Sequence, residues 1–283
     1  MAGDLVHETT LFAEPIFNIG SFTVTNTIIN SAIALVIVLI IFILVRKKIT
    51  DVPRGWQNFM EIIIDGALSL VDTVTGDRKK SLLFMPLIMS FFFFILINNW
   101  LGLLPGVGSI GIVEEMHGKM VFVPLLRGAT ADLNTTLALS IVAVIATHIF
   151  GVFLTSFWKH LNRFVSLDLI IELPKKVFVQ KEFTALLVNP IKFFVGLIEI
   201  IGEVSKMASL SFRLFGNVFA GEVLLGVMAS IFAYAVPIPF MFLELLVGFI
   251  QALIFSMLTL VFLTVMSTSH DDHDHDEKAV VHG

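Results

Sequence analysis

The chain has 283 residues, of which 57% are hydrophobic and only 14% are charged. Because a soluble domain carries about 25% charged residues, this composition excludes an ordinary soluble domain and indicates a polytopic membrane protein. The chain contains no cysteine, which excludes disulfides and thiolate metal sites. Its formal net charge of -5 says little about the membrane part of the chain, because five acids cluster in the C-terminal tail.

Two membrane crossings and one interfacial helix are predicted in the first part of the chain. The outer N-terminal segment 1–26 precedes an apolar stretch at 27–45, which is long enough to cross ~30 Å of hydrocarbon. Acidic residues recur near helical spacing in 56–74, and this pattern indicates an amphipathic helix lying at the membrane interface. A second apolar crossing is predicted at 81–104.

Three further apolar helices are predicted in the rest of the chain. A glycine-containing loop at 105–130 leads into a third crossing at 131–158. Two long apolar segments follow at 186–235 and 239–268. A turn is expected between them, because prolines at positions 237 and 239 disfavour continuation of a helix.

The two long segments do not fit ordinary membrane crossings. As one helix at ~1.5 Å per residue, 187–230 would extend about 66 Å, which is about twice the thickness of the hydrocarbon layer. These helices are therefore either steeply tilted or broken. A steep tilt would allow both to lie along another object in the membrane.

The predicted fold class is an all-α polytopic membrane protein that forms a single domain over 1–283, with about five crossings and one interfacial helix. Orientation follows from the positive-inside rule. Twelve of the 18 Lys and Arg residues lie in 46–80 and 159–181, whereas the loops on the other side carry only Lys119 and Arg127. The N-terminus is therefore predicted outside and the C-terminus in the cytoplasm.

Polar and charged side chains occur inside the two long apolar segments. A charge at bilayer depth costs at least ~2.5 kcal/mol on insertion scales, so a functional site is the default hypothesis for such residues. The side chains concerned are Lys192, Glu199, Glu203, Lys206, Arg213, Asn217, Glu222, Glu244 and Gln251.

Helical geometry sorts these side chains into two acidic zones with an arginine between them. Asn217 lies one turn beyond Arg213 on nearly the same face, and Glu199 falls within about 40° of that face but ~21 Å away. The acid nine residues beyond the arginine points to the opposite side. Glu244 and Gln251 are seven residues apart and share one face of the last helix. This interrupted pattern favours two half-channels over one continuous pore.

The stretch SLSFRLFGNVFAGE at 209–222, followed by FIQALIFSMLTLVFL at 249–263, resembles the subunit a family of the F-type ATP synthase. WQNFMEII resembles the interfacial helix of that family, and ADLNTTLAL resembles the start of its third crossing. The resemblance therefore extends over nearly the whole chain, and its RLFGN core is highly specific.

The resemblance assigns roles to the residues around the arginine. Arg213 matches the essential arginine of the family, Asn217 matches the amide that follows it, and Gln251 matches the glutamine opposite the arginine. Small residues spaced four apart around Arg213 permit close packing of another helix.

The resemblance also assigns the acids. Glu222 matches the acid of the outer half-channel, and Glu199 matches the acid near the cytoplasmic side. Glu244 stands where some members have histidine. Glu203 is a further candidate for the proton path, as are Asp132 and Asn134 at the start of the third crossing.

The family implies a rotating ring of c subunits as partner, each with a membrane carboxylate, together with peripheral-stalk b subunits and the other ATP synthase subunits. Arg213 then acts as an electrostatic gate that holds the facing ring carboxylate ionised. Protons enter and leave by two half-channels and turn the ring, which drives ATP synthesis. The resemblance implies no cofactor, and the expected location is a cell inner membrane.

Structural alternatives stand beside these roles. Arg213 could form an ion pair with Glu203 or Glu222, and Glu244 and Gln251 could only join helices by hydrogen bonds.

Five other polar residues have structural interpretations of their own. Asp132 and Asn134 could cap the third crossing. Lys192 and Lys206 are predicted to snorkel or to lie at an interface. His148 is predicted to be a packed polar residue rather than a metal ligand.

The polar tail at 269–283 contains HDDHDHDE at 270–277, which has the composition of a weak metal-binding run. We favour a solvated tail there and expect no metal site.

The sequence contains neither a P-loop nor a dinucleotide-binding fingerprint, so nucleotide chemistry is expected on other subunits. No nucleic acid is expected as partner.

Three functions are compatible with the residues. The first is the stator subunit of a rotary ATP synthase. The second is a self-contained secondary transporter or ion channel, a class that often has internal repeats, of which none is found in this sequence. The third is a membrane scaffold whose charges only pair with one another.

Overall fold

The computed structural model describes residues 12–46, 55–104, 106–116, 119–158, 184–232 and 236–267. The main helices of these segments are α1 (Asn26–Arg46), α2 (Trp56–Thr75), α3 (Arg78–Gly102), α4 (Leu133–Leu154), α5 (Thr184–Ile231) and α6 (Pro237–Ser267). The predicted all-α polytopic fold class is confirmed.

Five of these helices are long and apolar enough to cross a membrane. They are α1 over Asn26–Leu44, α3, α4, α5 over Phe194–Ile231, and α6. The helices coincide with the five predicted crossings, although their ends differ from the predicted bounds by a few residues. For example, α3 begins at Arg78 because the side chain of Asp77 accepts a 2.9 Å hydrogen bond from the backbone N–H of Lys79 and so caps the helix.

The amphipathic helix α2 ends in a left-handed cap that turns the chain into α3. Gly76 has φ 64°, and its N–H donates a 2.9 Å hydrogen bond to the carbonyl oxygen of Asp72. The Asp72 carboxylate also forms an ion pair with Arg78 at the start of α3. The Ser81 hydroxyl and the Arg78 guanidinium together hold the pKa of Asp72 below its ordinary value of 3.8.

The long helix α5 is continuous. It runs from Thr184 to Ile231 as 48 residues, which corresponds to ~72 Å at 1.5 Å per residue. The alternative of a broken helix is therefore wrong for this segment. A steep tilt stays a prediction.

The two prolines near 237 start a helix, contrary to the predicted turn at 235–239. α6 begins at Pro237, and Pro239 lies in its first turn. The first N–H groups of a helix have no partner within it, so proline is tolerated at these positions and its fixed φ favours helix initiation. Residue 235 lies outside the described residues.

Two antiparallel hairpins occur in segments that were predicted only as an outer segment and a loop. β1 (Pro15–Ile19) pairs with β2 (Phe22–Thr25), and β3 (Gly111–Met116) pairs with β4 (Lys119–Pro124). The first hairpin turns at Gly20, whose φ of 63° suits a residue without a β-carbon. Pairing of short strands satisfies backbone groups that lie outside the helices.

The chain divides into two compact units. Unit 1 comprises Met1–Leu139 and Leu210–Leu260, and unit 2 comprises Ser140–Ser209 and Val261–Gly283. In unit 2, apolar residues of α4 and α6 are buried; they are Ala143, Val144, Leu263 and Met266. The single domain predicted over 1–283 stays a prediction.

The core of unit 1 joins α3 to α6 through aromatic rings. The rings of Phe91 and Phe255 lie 5.6 Å apart, and those of Phe92 and Phe249 lie 5.7 Å apart in an edge-to-face arrangement. Leu214 of α5 is completely buried in the same unit.

Hydrogen bonds fix the register of α3 against α6 in unit 1. The Asn99 amide donates a 3.0 Å bond to the carbonyl oxygen of Gly248, and the Trp100 indole donates a 3.1 Å bond to that of Leu245. Thr130 in turn donates a 2.6 Å bond to Oδ1 of Asn99. These bonds hold the turn of α6 that carries Glu244.

Candidate functional site

The predicted gate residue, Arg213, lies on the exposed side of α5 in unit 1. The adjacent residue Leu214 is buried, whereas Arg213 is exposed and Phe212 is 61% exposed. One turn along the helix, a β-carbon added at Gly216 would meet nothing within 4 Å. Among the described residues, the arginine therefore lies on an exposed and largely apolar face of α5.

The two amides predicted near the arginine are brought together. Nδ2 of Asn217 on α5 donates a 2.6 Å hydrogen bond to Oε1 of Gln251 on α6. Gln251 is only 1% exposed. Its Nε2 is buried and has no hydrogen-bond partner among the described residues. The hydrogen bond thus links α5 to α6, and the Nε2 amide group of Gln251 is left without a partner among the described residues.

Glu222 forms an ion pair that the sequence did not predict. Nε of Arg127 lies 2.9 Å from Oε1 of Glu222, and Nη2 of Arg127 lies 2.9 Å from Oε2. Both carboxylate oxygens are therefore bound by one guanidinium. The third guanidinium nitrogen, Nη1, donates a 3.2 Å bond to the carbonyl oxygen of Phe12.

Sequence reasoning missed the role of Arg127 and counted it only as a loop charge. The available signal was an arginine five residues before Asp132 in a loop with few charges. The side chain of Arg127 is 4% exposed, and that of Glu222 is 29% exposed. A guanidinium that is so deeply buried requires an anion, and Glu222 supplies it.

Glu244 packs against the glycine that precedes Glu222. A β-carbon added at Gly221 would overlap the carboxyl group of Glu244. Within the described part of the chain, the Glu244 carboxylate makes no hydrogen bond or ion pair. The carboxyl group occupies the space that a β-carbon at 221 would need, so any side chain there would require this group to move.

The two acids line one cavity of about 650 Å³ in unit 1. Arg127, Glu222 and Glu244 contribute the charged groups of its wall, and Asn99 contributes an amide. Most of the remaining lining is glycine or apolar, from α3, α5, α6 and the segment before α4. The cavity therefore offers a confined space with one paired and one unpaired carboxylate.

Asp132 and Asn134 lie where α4 begins. Oδ1 of Asp132 accepts a 3.2 Å bond from the backbone N–H of Asn134, and Oδ2 accepts a 3.0 Å bond from the Thr135 hydroxyl. Asp132 is 3% exposed. Its carboxylate caps the helix, as the structural interpretation predicted.

A further buried acid precedes α1 and was not predicted. Glu14 is 8% exposed, and its Oε2 accepts a 3.3 Å bond from Nδ2 of Asn26. The same nitrogen lies 3.3 Å from the carbonyl oxygen of Pro124, which lines the cavity. These bonds tie the N-terminal segment to the end of β4.

Glu203 lies in unit 2 with two basic partners. Nζ of Lys206 lies 2.6 Å from Oε1 of Glu203, and Nε2 of His148 lies 3.5 Å from Oε2. Nζ of Lys206 also lies 5.1 Å from the centre of the Phe262 ring. Glu199, one turn earlier on α5, is partly exposed.

These contacts bear on several predictions about charges. Lys206 forms an ion pair with Glu203, and His148 lies beside the same acid. The prediction that Lys206 snorkels or lies at an interface stays a prediction. Glu222 pairs with Arg127, and Glu203 pairs with Lys206 and His148, so each acid that was considered as a partner of Arg213 has another basic partner. The alternative that pairs Arg213 with one of them stays a prediction. The Lys192 side chain lies outside the described residues.

No group of three or more His, Cys, Asp or Glu side chains that could hold a metal ion occurs among the described residues. The run at 270–277 lies outside them, so its metal binding stays untested by the structure.

Comparison with known proteins gives one consistent result. The family model "ATP synthase A chain" matches residues 28–264. The chain is 32% identical to ATP synthase subunit a of Geobacter sulfurreducens over 229 residues, which cover 81% of this chain and 82% of that protein. It is 33% identical to subunit a of Geotalea uraniireducens, with 80% and 81% covered, and 32% identical to that of Mycobacterium ulcerans, with 88% and 89% covered.

Proposed function

Since the chain belongs to the ATP synthase A chain family, whose members serve ATP synthesis and proton transport as multi-pass membrane proteins, we propose that it is the stator that couples transmembrane proton flow to rotation of a c-subunit ring. In this proposal it contributes two proton half-channels, one open to each side of the membrane. Family membership argues against the alternative of a self-contained secondary transporter.

The observation that carries the proposal is the exposed cation on α5. Arg213 is exposed on α5, and the apolar part of this helix over Phe194–Ile231 is mostly unburied among the described residues. A permanent charge facing lipid is costly, and an arginine keeps its proton at any accessible pH. A ring carboxylate passing in front of this face would meet a fixed cation, and the open space at Gly216 admits a closely packed helix.

Arg213 acts in this mechanism as a gate and not as a proton carrier. Its charge holds the facing ring carboxylate ionised, and a proton that arrives through one half-channel reloads that carboxylate. The neutral site can then move into lipid while the ring turns. The same fixed charge opposes direct passage of a proton from one half-channel to the other.

The remaining site residues are assigned to the two half-channels. Glu222 and Glu244 belong to the outer one, where they line the cavity in unit 1. Glu199 belongs to the inner one, with Glu203 as a further candidate. Carboxylates suit this task because they bind and release a proton without other chemistry.

Four other residues support the outer path in this proposal. Asn217 and Gln251 hold α5 and α6 together beside the arginine through their 2.6 Å bond. Asp132, together with Asn134, fixes the start of α4 and is a weaker candidate for proton transfer.

The proposal includes partners and location. Beside the c-ring, the partners are the peripheral-stalk b subunits, the other subunits of the ATP synthase and the surrounding lipid. The membrane is a bacterial inner membrane, with the N-terminus outside and the C-terminus in the cytoplasm.

The test is ATP-driven acidification of inverted membrane vesicles that carry the assembled complex. Arg213→Ala is expected to abolish acidification while subunit stoichiometry stays normal. Arg46→Ala removes an exposed arginine at the end of α1 and serves as the matched control that should still acidify. If an assembled Arg213→Ala complex acidifies vesicles at the wild-type rate, the arginine is structural and the scaffold interpretation replaces the gate.

A further inference from the structure

The cavity in unit 1 contains two carboxylates in different electrostatic states. Glu222 is bound through both of its oxygens by Arg127, whereas Glu244 makes no hydrogen bond or ion pair within the described part of the chain. All three side chains line the same space of about 650 Å³. The question is which of the two acids exchanges a proton.

The geometry of Arg127 makes it a clamp for Glu222. Its Nε lies 2.9 and 3.2 Å from the two oxygens of Glu222, and its Nη2 lies 2.9 Å from Oε2. Paired N–H donors in this fork arrangement form strong, directional bonds with a carboxylate. Loss of the negative charge of Glu222 would break the ion pair with a guanidinium that is only 4% exposed, which is unfavourable.

Arg127 is itself held in place, so it cannot readily leave Glu222. Its Nη1 donates a 3.2 Å bond to the carbonyl oxygen of Phe12, in the segment before β1. Gly128, the next residue, lies against Gly102 at the end of α3, where a β-carbon on Gly102 would come within 2.9 Å of the Gly128 Cα. The backbone at 127–128 is therefore fixed by close packing.

Without Arg127 the cavity would contain two competing acids. Two carboxylates in one confined site repel each other and titrate as a coupled pair, so that one proton is shared between them. The guanidinium removes Glu222 from this competition. Glu244 then remains as the one group of the three that has no ion-pair partner among the described residues.

We propose that Arg127 is a positioning residue that keeps Glu222 permanently ionised and thereby makes the outer cavity a site for one proton, carried by Glu244. A hydronium ion in the cavity transfers the proton: one of its O–H bonds breaks, an O–H bond forms on the Glu244 carboxylate, and a water molecule and a neutral carboxylic acid remain. The reverse transfer to water restores the carboxylate. This inference rests on the proposed half-channel function and divides the roles of the two acids within it.

The first experiment compares proton transport in vesicles that carry the assembled complex. Glu244→Gln removes the titrating group and is expected to abolish ATP-driven acidification, whereas Glu244→Asp keeps a carboxylate and should restore it in part. Arg127→Gln combined with Glu222→Gln replaces the ion pair by two neutral amides and is expected to transport at a reduced but clear rate. Asp65→Asn removes an exposed carboxylate on α2 and is the matched control.

The second experiment is a pH profile, because a merely structural role of Arg127 would not alter its shape. Wild-type passive proton conduction should follow one titration step on the outer side. Arg127→Gln alone frees Glu222, so the profile should broaden into two steps. Arg127→Lys keeps a charge but loses the fork geometry, and its profile should lie nearer the wild type.

Two results overturn the inference. One is an assembled Glu244→Gln complex that pumps like the wild type, and the other is an unchanged single-step profile in Arg127→Gln. The Arg213→Ala variant distinguishes failure of this inference about the two acids from failure of the proposed function. If Arg213→Ala stops pumping while Glu244→Gln does not, the gate stands and only the division of roles between the acids is wrong.

Discussion

The side-chain amide of Asn217 on α5 donates a 2.6 Å hydrogen bond to the side-chain oxygen of Gln251 on α6. This bond lies one helical turn from Arg213 along α5 and belongs to the core of unit 1. Because Gln251 is 1% exposed, its side chain has no water to replace a lost partner. The bond therefore sets the spacing of the two helices at the depth of the proposed gate.

Removal of this bond is expected to weaken the contact between the helices measurably. In membrane proteins such side-chain bonds contribute about 0.6 kcal/mol on average and up to ~1.7 kcal/mol. Asn217→Ala, Gln251→Ala and the double variant form a double-mutant cycle, and unfolding in mixed micelles gives its coupling energy. We expect a coupling toward the upper end of that range, because Gln251 is so deeply buried. Additive effects of the two single variants would show that the bond contributes no stability.

Gly221→Ala is expected to displace the carboxyl group of Glu244, because the new β-carbon would overlap it. Proton pumping by the assembled complex should fall. Gly221→Ala combined with Glu244→Asp shortens the acid by one methylene and should recover part of the activity. Gly66→Ala on α2 is the control, since its β-carbon would meet nothing within 4 Å. Normal pumping by Gly221→Ala would mean that the position of Glu244 is not constrained in the working complex.

Much of the fold could be predicted from the sequence. The crossings are recognised by apolar stretches of sufficient length, and these coincide with α1, α3, α4, α5 and α6. Arg213 and Asn217 could be singled out because polar residues are rare and costly inside such stretches. These are local properties, so they can be read one segment at a time.

The rest depends on contacts between distant parts of the chain. Arg127 and Glu222 are 95 residues apart, and no periodicity in the sequence connects them. The hairpin of β3 and β4 depends on the pairing of two short strands, which the composition of a glycine-containing loop does not reveal. The start of α6 at Pro237 was missed for a different reason, because proline both ends a helix and favours its first turn.

The junction of α2 and α3 is expected to lose stability at low pH. The Ser81 hydroxyl and the Arg78 guanidinium hold the pKa of Asp72 below 3.8 in the folded chain. A carboxyl group with a lowered folded-state pKa stabilises the fold above its unfolded pKa, and this contribution is lost as pH falls through the folded value. Asp72→Asn should therefore lower the melting temperature near neutral pH but reduce its dependence on pH below about 4.

The control for this prediction is Asp65→Asn on the exposed face of α2. Asp77→Asn is not a suitable control, because Asp77 caps α3. Parallel melting curves of wild type and Asp72→Asn across this range would contradict the prediction.

In unit 2, removal of one charge of the Glu203–Lys206 ion pair is expected to destabilise the fold more than removal of both charges. The Glu203 side chain is 10% exposed and that of Lys206 is 28% exposed, so Glu203→Gln leaves an ammonium group that is largely removed from water. Breaking one side of a buried pair costs about 3–5 kcal/mol, whereas replacing both charges is often nearly neutral. The ring of Phe262, 5.1 Å from Nζ, offsets only about 1 kcal/mol of this cost.

Glu203→Gln should thus destabilise the chain in micelles more than the double variant Glu203→Gln with Lys206→Met. His148→Gln should have a smaller effect than Glu203→Gln, because the 3.5 Å approach of His148 is longer than a normal hydrogen bond. If the double variant unfolds as easily as Glu203→Gln, the cost arises from lost packing at Glu203 and not from an unpaired charge.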